Sequence, residues 1–403
     1  MEESIGRIIH DEACWLLENV GVGMNDQRTI DLFESTGLAG YDKSNKRMYI
    51  LNDLIKSCLG CVPKRNKFPV PENSLGGGGV AAYIKRGDDY IVPVTEIHVA
   101  DMMNTAEEFN VPFMFKGASR KFDWEEESKQ IKEIRKYYSG MLYIRAETQT
   151  GLEKCLEEYE DTGKICTTHS VLDSPLKLNG TGGNLDIFYN TAEKGLPLYL
   201  TSMPMSCLTG PATLYGLASQ AYAEFLTGLT LSQIIHPGVQ VVNGAYPTIT
   251  DVSKKYIPAL GSVSQNMVNY LVARVSEVFD LPSIQSGNTI SGEFHNPIEG
   301  GTDYETERGY KFWNTVKEWH QVRHSFGFIN SLIAYDLDKM RRDLVAFDRI
   351  KTNDETLDLN FDDIWYDSEA CYAIAEGVER GSFKDIYHTT KNLGVLDDKY
   401  PGI

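Results

Sequence analysis

Apolar and polar positions change period several times along this chain. From Ile8 to Val20 the residues Ile9, Ala13, Leu16, Leu17 and Val20 recur at helical spacing, and Thr29–Ser35 repeats the pattern more briefly, so residues 1–75 read as a small N-terminal helical element. Pro63, Pro69 and Pro71 lead through Gly76-Gly77-Gly78-Gly79, a stretch too rich in breakers for regular structure, and the domain boundary falls near residue 75. Beyond it, short β-rich runs alternate with helical segments: Val80–Ile84, Val111–Phe115, Met141–Ile144, Ile165–His169, Leu198–Ser202, Val239–Asn243, Leu281–Gln285 and Phe326–Asn330. Strands separated by helix-length segments, such as Glu125–Tyr137 with Asp123 as its cap, predict an α/β fold, a (β/α)8 TIM barrel over residues 76–350. A doubly wound α/β sheet is the second choice. After Ile350 the pattern lapses into a C-terminal extension, residues 351–403, whose helix-like stretch Glu369–Glu379 is expected to pack on the barrel as a cap or partner surface.

Charge narrows the partners. The chain carries 39 Lys and Arg against 57 Asp and Glu, a net charge of −18, and such a surface repels nucleic acid and anionic bilayers. Residues 352–403 hold 12 acidic and 4 basic side chains, so −8 of that charge sits in the extension. The start Met-Glu-Glu-Ser-Ile-Gly-Arg lacks a basic region followed by an apolar run, and a cytoplasmic location is expected. The 7 cysteines are odd in number and scattered, as reduced and mostly buried thiols would be, and Cys58-Leu-Gly-Cys61 has no second Cys or His pair at a zinc-site spacing. From Gly195 to Thr250 the one formal charge is Glu224. Prolines interrupt that stretch, which therefore reads as buried parallel strands and interior helices rather than a membrane span.

No phosphate-binding loop and no G-x-S-x-G elbow is present. His320 and His324 share a helical spacing but precede the eighth strand, away from the usual barrel site. Glu293 and His295 follow the seventh strand, where a plain turn is an equal reading. Barrel chemistry gathers at the C-terminal strand ends, where the sequence places Lys116, Arg145, Glu147, His169, Ser202, Met203, Asn243, Tyr246, Gln285, Asn288 and Asn330. No three of these make a metal set and no carboxylate pair dominates. A ring of this composition suits a small bound ligand better than acid–base chemistry, and no catalytic residue or protein-bound metal is assigned.

Several segments resemble the trimethylamine methyltransferase family, whose members pass a methyl group from a methylated amine to the cobalt of a corrinoid protein. They are His10-Asp-Glu-Ala-Cys-Trp-Leu-Leu-Glu-Asn-Val-Gly-Val22, Gly78-Gly-Val-Ala-Ala-Tyr-Ile84, Met203-Pro-Met-Ser-Cys-Leu-Thr-Gly-Pro-Ala-Thr-Leu-Tyr-Gly216, His236-Pro-Gly-Val-Gln-Val-Val-Asn-Gly244, Leu281-Pro-Ser-Ile-Gln-Ser-Gly287 and Asp303-Tyr-Glu-Thr-Glu-Arg-Gly-Tyr310. The resemblance also implies a (β/α)8 barrel and a cognate corrinoid-binding partner, and a homo-oligomer is expected. The founding members carry pyrrolysine after the seventh strand, and this chain has ordinary residues near Gly287–Thr289. A quaternary ammonium has no lone pair with which to attack pyrrolysine's imine, so the departure points to a betaine-like quaternary amine such as glycine betaine. The family's C-terminal segment survives only faintly, as Gly381–Thr389.

On that resemblance, aromatic faces would hold the cation, with Phe115, Tyr199, Tyr246 and Phe294 as cage candidates, although each could equally be core aromatic and for Phe115 and Tyr199 core packing is the favoured reading. Arg145 or His169 would bind a carboxylate with charge-assisted bonds, and Asn243 and Asn330 would supply neutral donors. For Arg145 taken alone, pairing with Glu147 or with an acid of a neighbouring strand is the favoured reading. The rival readings are a barrel enzyme of other chemistry, a lyase or hydrolase, and a non-catalytic protein that only binds the amine.

Overall fold

The computed structural model describes residues 2–71, 74–77, 83–86, 90–93, 96–115, 131–178, 184–251, 257–260, 262–286, 311, 313–314, 325–328, 334–350 and 355–356. Its centre is an eight-stranded sheet made of Leu75–Gly77, Phe113–Phe115, Met141–Ile144, Ile165–His169, Leu198–Leu200, Val241–Asn243, Ile284–Ser286 and Ser325–Phe328. In chain order these are its first to eighth strands. Every neighbouring pair runs parallel, and the hydrogen-bonded order is sixth, fifth, fourth, third, second, first, eighth, seventh. The two end strands of that order meet at a parallel bridge between Asn243 and Ser283, backed by the Asn243 N–H donating to Pro282 O at 2.9 Å. The protein is thus mixed α/β with a curled parallel sheet.

The first strand corrects an expectation. It is Leu75–Gly77 and not Val80–Ile84, because the glycines discounted as breakers are used inside the sheet. A Cβ at Gly76 would lie 2.3 Å from the Phe113 ring, so only glycine lets that ring cross the strand. Tyr83–Arg86 instead joins Tyr90–Pro93 and Ala334–Asp336 in a separate three-stranded sheet.

The helices start where the sequence offers caps. Thr148 caps Gln149–Thr162, Thr213 caps Leu214–Ile235 and Ser262 caps Val263–Val278, each side-chain oxygen accepting a first-turn backbone N–H. Of the expected helix Glu125–Tyr137, the turn at Ile131–Tyr138 is described, with bonds Arg135 N to Ile131 O and Tyr138 N to Ile134 O. Leu214–Ile235 is buried over nearly its whole length, wedged among Glu2–Trp15, Asn52–Cys61 and Val263–Val278. That explains why the stretch containing it is so poor in charge: a helix covered on every side has no polar face to display. Among the described residues no helix is long and apolar enough to cross a membrane.

The N-terminal part is not purely helical. Glu2–Trp15 continues as a π-helical turn, Leu16–Val20, and Asp26 caps Gln27–Ser35, but Val22–Met24, Ala39–Asp42 and Arg47–Ile50 are strands. Leu172–Asp173 and Lys177–Leu178, from the loop after the fourth sheet strand, complete that five-stranded sheet. Residues 63–70 then cross the N-terminal end of the central sheet. Gln240 Nε2 donates to Pro63 O, Arg65 N donates to Asp280 O, and Phe68 and Val70 enter the inner core. Cys58 is buried against Thr230 O and Cys61 is exposed. Asp123, Glu369–Glu379, His320, His324, Glu293 and His295 lie outside the described residues.

Candidate functional site

Alternation along each strand sorts side chains into two cores. The inner one gathers Phe113, Met141, Tyr143, Cys166, Tyr199, Val242 and Ile284, with the half-buried Phe115 packed against it. The intervening residues Met114, Leu142, Ile144, Ile165, Leu198, Leu200 and Val241 belong to the outer core beneath the helices.

The inner core is aromatic at the C-terminal strand ends. Ring centroids of Phe115 and Tyr143 are 4.7 Å apart, and both lie 5.2 Å from Tyr199. Phe113 stands edge-on to Tyr143 at 5.7 Å. Tyr199 Oη donates to Ile284 O at 3.2 Å, whereas the buried Tyr143 hydroxyl has no hydrogen-bond partner among the described residues. Burial drives the acidity of both phenols down, so both stay neutral. The half-buried Tyr246 lies close enough to Tyr199 to weigh on its ionisation. Between them on the strand side is Gly244, where a Cβ would meet the Tyr199 ring at 2.2 Å. Gly244→Ala is therefore expected to displace the ring and destabilise the fold by about 1–3 kcal/mol, the usual range for overpacking, measurable by urea unfolding.

The other sequence candidates divide by face. His169 points outward: its Nε2 lies 3.1 Å from Thr167 Oγ1, its ring stands edge-on to Phe188 of helix Leu185–Glu193, and burial and then the Arg145 charge lower its pKa to about 3. Asn243 also points outward, donating from Nδ2 to Ser276 Oγ at 2.7 Å and accepting from Ala245 N at 2.9 Å. Gln285 Nε2 reaches Ser283 Oγ and Asn243 O, tying the seventh strand to the sixth. Ser202 sits beside the buried Glu224 carboxyl. These four lie on the strand–helix side of the sheet rather than facing the aromatic cluster, and Asn243 and Gln285 fasten strand to helix and strand to strand. Arg145 pairs with Glu147 at 2.9 Å on the rim, both partly exposed, and Met203 is exposed. Lys116, Asn288, Phe294 and Asn330 lie outside the described residues.

Two inner residues were not indicated by the sequence. Tyr143 sits in a run, Met-Leu-Tyr-Ile, that is buried on both faces and so shows no alternation. Thr168 shares the inner register with Cys166, and it is half-buried where its neighbours are sealed. Among the described residues no group of three His, Cys, Asp or Glu is gathered as a metal site would require.

The chain is thus an α/β protein with a curled parallel sheet and an uncharged aromatic cluster at the C-terminal strand ends, the end at which barrel enzymes gather their chemistry. The chain belongs to the trimethylamine methyltransferase (MTTB) family, whose profile matches residues 153–394. It is 24% identical over 322 residues to trimethylamine methyltransferase MttB of Desulfitobacterium hafniense, covering 71% of this chain and 62% of that one. It is 21% identical over 369 residues to glycine betaine methyltransferase of the same species, covering 83% and 73%. A further MttB, from Methanosarcina thermophila, is 31% identical over 115 residues, 28% of this chain and 23% of that one. The chain spans about three fifths of the length of the first of these relatives.

Proposed function

We propose that the protein is a methyltransferase that moves a methyl group from a betaine-like quaternary amine to a corrinoid carried by a partner protein, and that its sheet is a complete (β/α)8 barrel that begins at the strand Leu75–Gly77 and ends near residue 350. The observation that carries this reading is the aromatic cluster of Phe115, Tyr143 and Tyr199, which offers ring faces and no formal charge. Such faces attract a quaternary ammonium by about 0.5–2 kcal/mol per ring, depending on desolvation. A primary or secondary ammonium would also need hydrogen-bond acceptors, and this cluster has few to offer.

The corrinoid is a second substrate rather than a resident group, and it supplies the nucleophile. One N–CH3 bond breaks, its electron pair stays on nitrogen as a neutral tertiary amine departs, and the methyl carbon bonds to the incoming nucleophile. The chain's own part is to bind and aim the cation and to keep water away. The half-buried Phe115, Thr168 and Tyr246 mark the side from which a methyl acceptor would approach, and Arg145 on the rim suits a betaine carboxylate if it exchanges Glu147 for the ligand.

Tyr246→Ala is expected to lower turnover at least tenfold, and because the ring is half-buried and not fully enclosed it should lower the melting temperature less than Tyr199→Ala does. An unchanged rate would remove Tyr246 from the site. The assignment as a whole is tested by mixing the protein with reduced cobalamin or its cognate corrinoid protein and a panel of quaternary amines, and following methyl uptake in the visible spectrum. Silence across the panel, with the corrinoid shown to be active separately, would overturn it.

A further inference from the structure

Glu224 is the one formal charge between Gly195 and Thr250, and it is fully buried on helix Leu214–Ile235. Nothing in the proposed chemistry uses it. A carboxyl so placed is retained at a cost unless its hydrogen bonds do something that an apolar side chain cannot.

Those bonds converge from separate segments. Oε2 accepts from Ser174 Oγ at 2.8 Å, and Oε1 accepts from Leu176 N at 3.1 Å, both in the loop after the fourth strand. Oε1 also accepts from Gln220 Nε2 at 3.1 Å, and the same amide donates to Thr209 O at 2.7 Å in the loop after the fifth strand. The Ser202 hydroxyl, from the beginning of that second loop, lies beside the carboxyl as well.

The second loop in turn carries the rim of the site. Gly244 N donates to Leu200 O, Tyr246 N to Ser202 O and Thr248 N to Pro204 O, at 2.9, 2.7 and 2.8 Å. The fifth and sixth strands are in this way prolonged as a parallel ladder past the end of the sheet, with Tyr246 on its second rung. We propose that Glu224 is a positioning residue, whose carboxyl fastens the loops after the fourth and fifth strands to the buried helix and so sets where Tyr246 stands. An apolar residue of the same size would fill the space but leave the Leu176 N–H and the Gln220 amide short of an acceptor.

The loop-fastening role stands on geometry alone, whereas its bearing on turnover rests on the methyltransferase reading above. Hydrogen exchange followed by mass spectrometry separates the two. Glu224→Ala is expected to speed exchange in peptides covering 174–178, 202–210 and 244–250 at least tenfold, with Glu96–Glu108 and Gln149–Thr162 unchanged. Glu224→Gln keeps one acceptor oxygen and the side-chain volume, and it should stay within about threefold of wild type. Should Glu224→Ala fail to fold, Gln220→Leu serves instead, loosening 202–210 and 244–250 but sparing 174–178. Wild-type exchange in all of these peptides, or loosening spread evenly over the chain, overturns the proposal. In the methyl-transfer assay the alanine variant should raise KM for the amine more than it lowers kcat. A wild-type protein that transfers no methyl, together with loops that loosen as expected, would refute the enzymatic reading and leave the positioning role intact.

Discussion

Tyr199→Ala is expected to cost about 3–5 kcal/mol of unfolding free energy, the range for removing a buried aromatic ring, and to abolish amine-dependent methyl transfer. Its ring is nearly buried at 8% exposure and stands edge-on to Phe115 and Tyr143, each 5.2 Å away. Alanine would open a void that Gly244 and Val242 are too small or too fixed to fill. Tyr199→Phe separates the two contributions. It loses only the bond from Oη to Ile284 O, worth about 1 kcal/mol, and keeps the ring face that a cation would meet. Urea unfolding and the methyl-transfer assay on both variants check this. A fully active alanine variant would show that the cluster is packing alone.

The second large effect concerns pH. Burial, partly offset by the bonds from Ser174, Leu176 and Gln220 and by the neighbouring Ser202 hydroxyl, raises the Glu224 pKa from 4.5 to about 7. The native state therefore holds a proton that the unfolded chain has released between those values, and stability from this group is fully present below pH 4.5 and is lost as pH rises to 7. A span of that width corresponds to roughly 3 kcal/mol. Unfolding free energies of wild type and Glu224→Gln measured at pH 5 and pH 8 should differ between the two pH values by an amount of that order, with wild type gaining at the acid end. A constant difference would show that Glu224 does not change charge in this window.

The buried histidines act in the opposite sense. Burial lowers the His10 pKa to about 4 and the His169 pKa to about 3, so their contribution is present above 6.5 and lost in acid. It cancels in the comparison of the two proteins. On the helices packed against Leu214–Ile235, burial raises the Cys14 and Cys58 pKa values to about 12, that of Tyr189 above the ordinary phenol value and that of Glu12 above the ordinary carboxylate value, and on Leu214–Ile235 itself burial raises Tyr222 well above the phenol value. Arg274 and Glu277 pair with each other, and Asp173 adjoins Ser174, yet none of these enters among the groups that set the Glu224 acidity.

Most strand positions could be read from the sequence, because runs such as Met141–Ile144 and Ile165–His169 are β-rich and bounded by helical segments. The faces could not. A strand buried on both sides shows no apolar–polar alternation, and a shift of one residue turns a side chain from the inner core to the helix layer. Hence polarity singles out His169 where Thr168 faces inward and Asn243 where Gly244 does, and nothing local marks Tyr143. Polarity at a strand end drew attention to residues whose bonds serve the strand–helix layer, such as Asn243 with Ser276. The first strand was displaced by a few residues because glycine in sequence reads as a breaker, and its use beneath the Phe113 ring depends on a neighbour in another strand.

The sequence by itself determined the α/β class of fold, the approximate places of most central strands, the net negative charge, and the family motifs. All of these rest on local spacing or on composition. Only the tertiary structure decided which residues share a face, that Leu172–Leu178 completes an N-terminal sheet, and that Phe115, Tyr143 and Tyr199 meet as one aromatic cluster. It also decided that the isolated charge at Glu224 binds two loops together. The reason is the same in each case: these contacts join segments far apart in the chain, where the register of one strand against the next, rather than any local preference, sets what touches what.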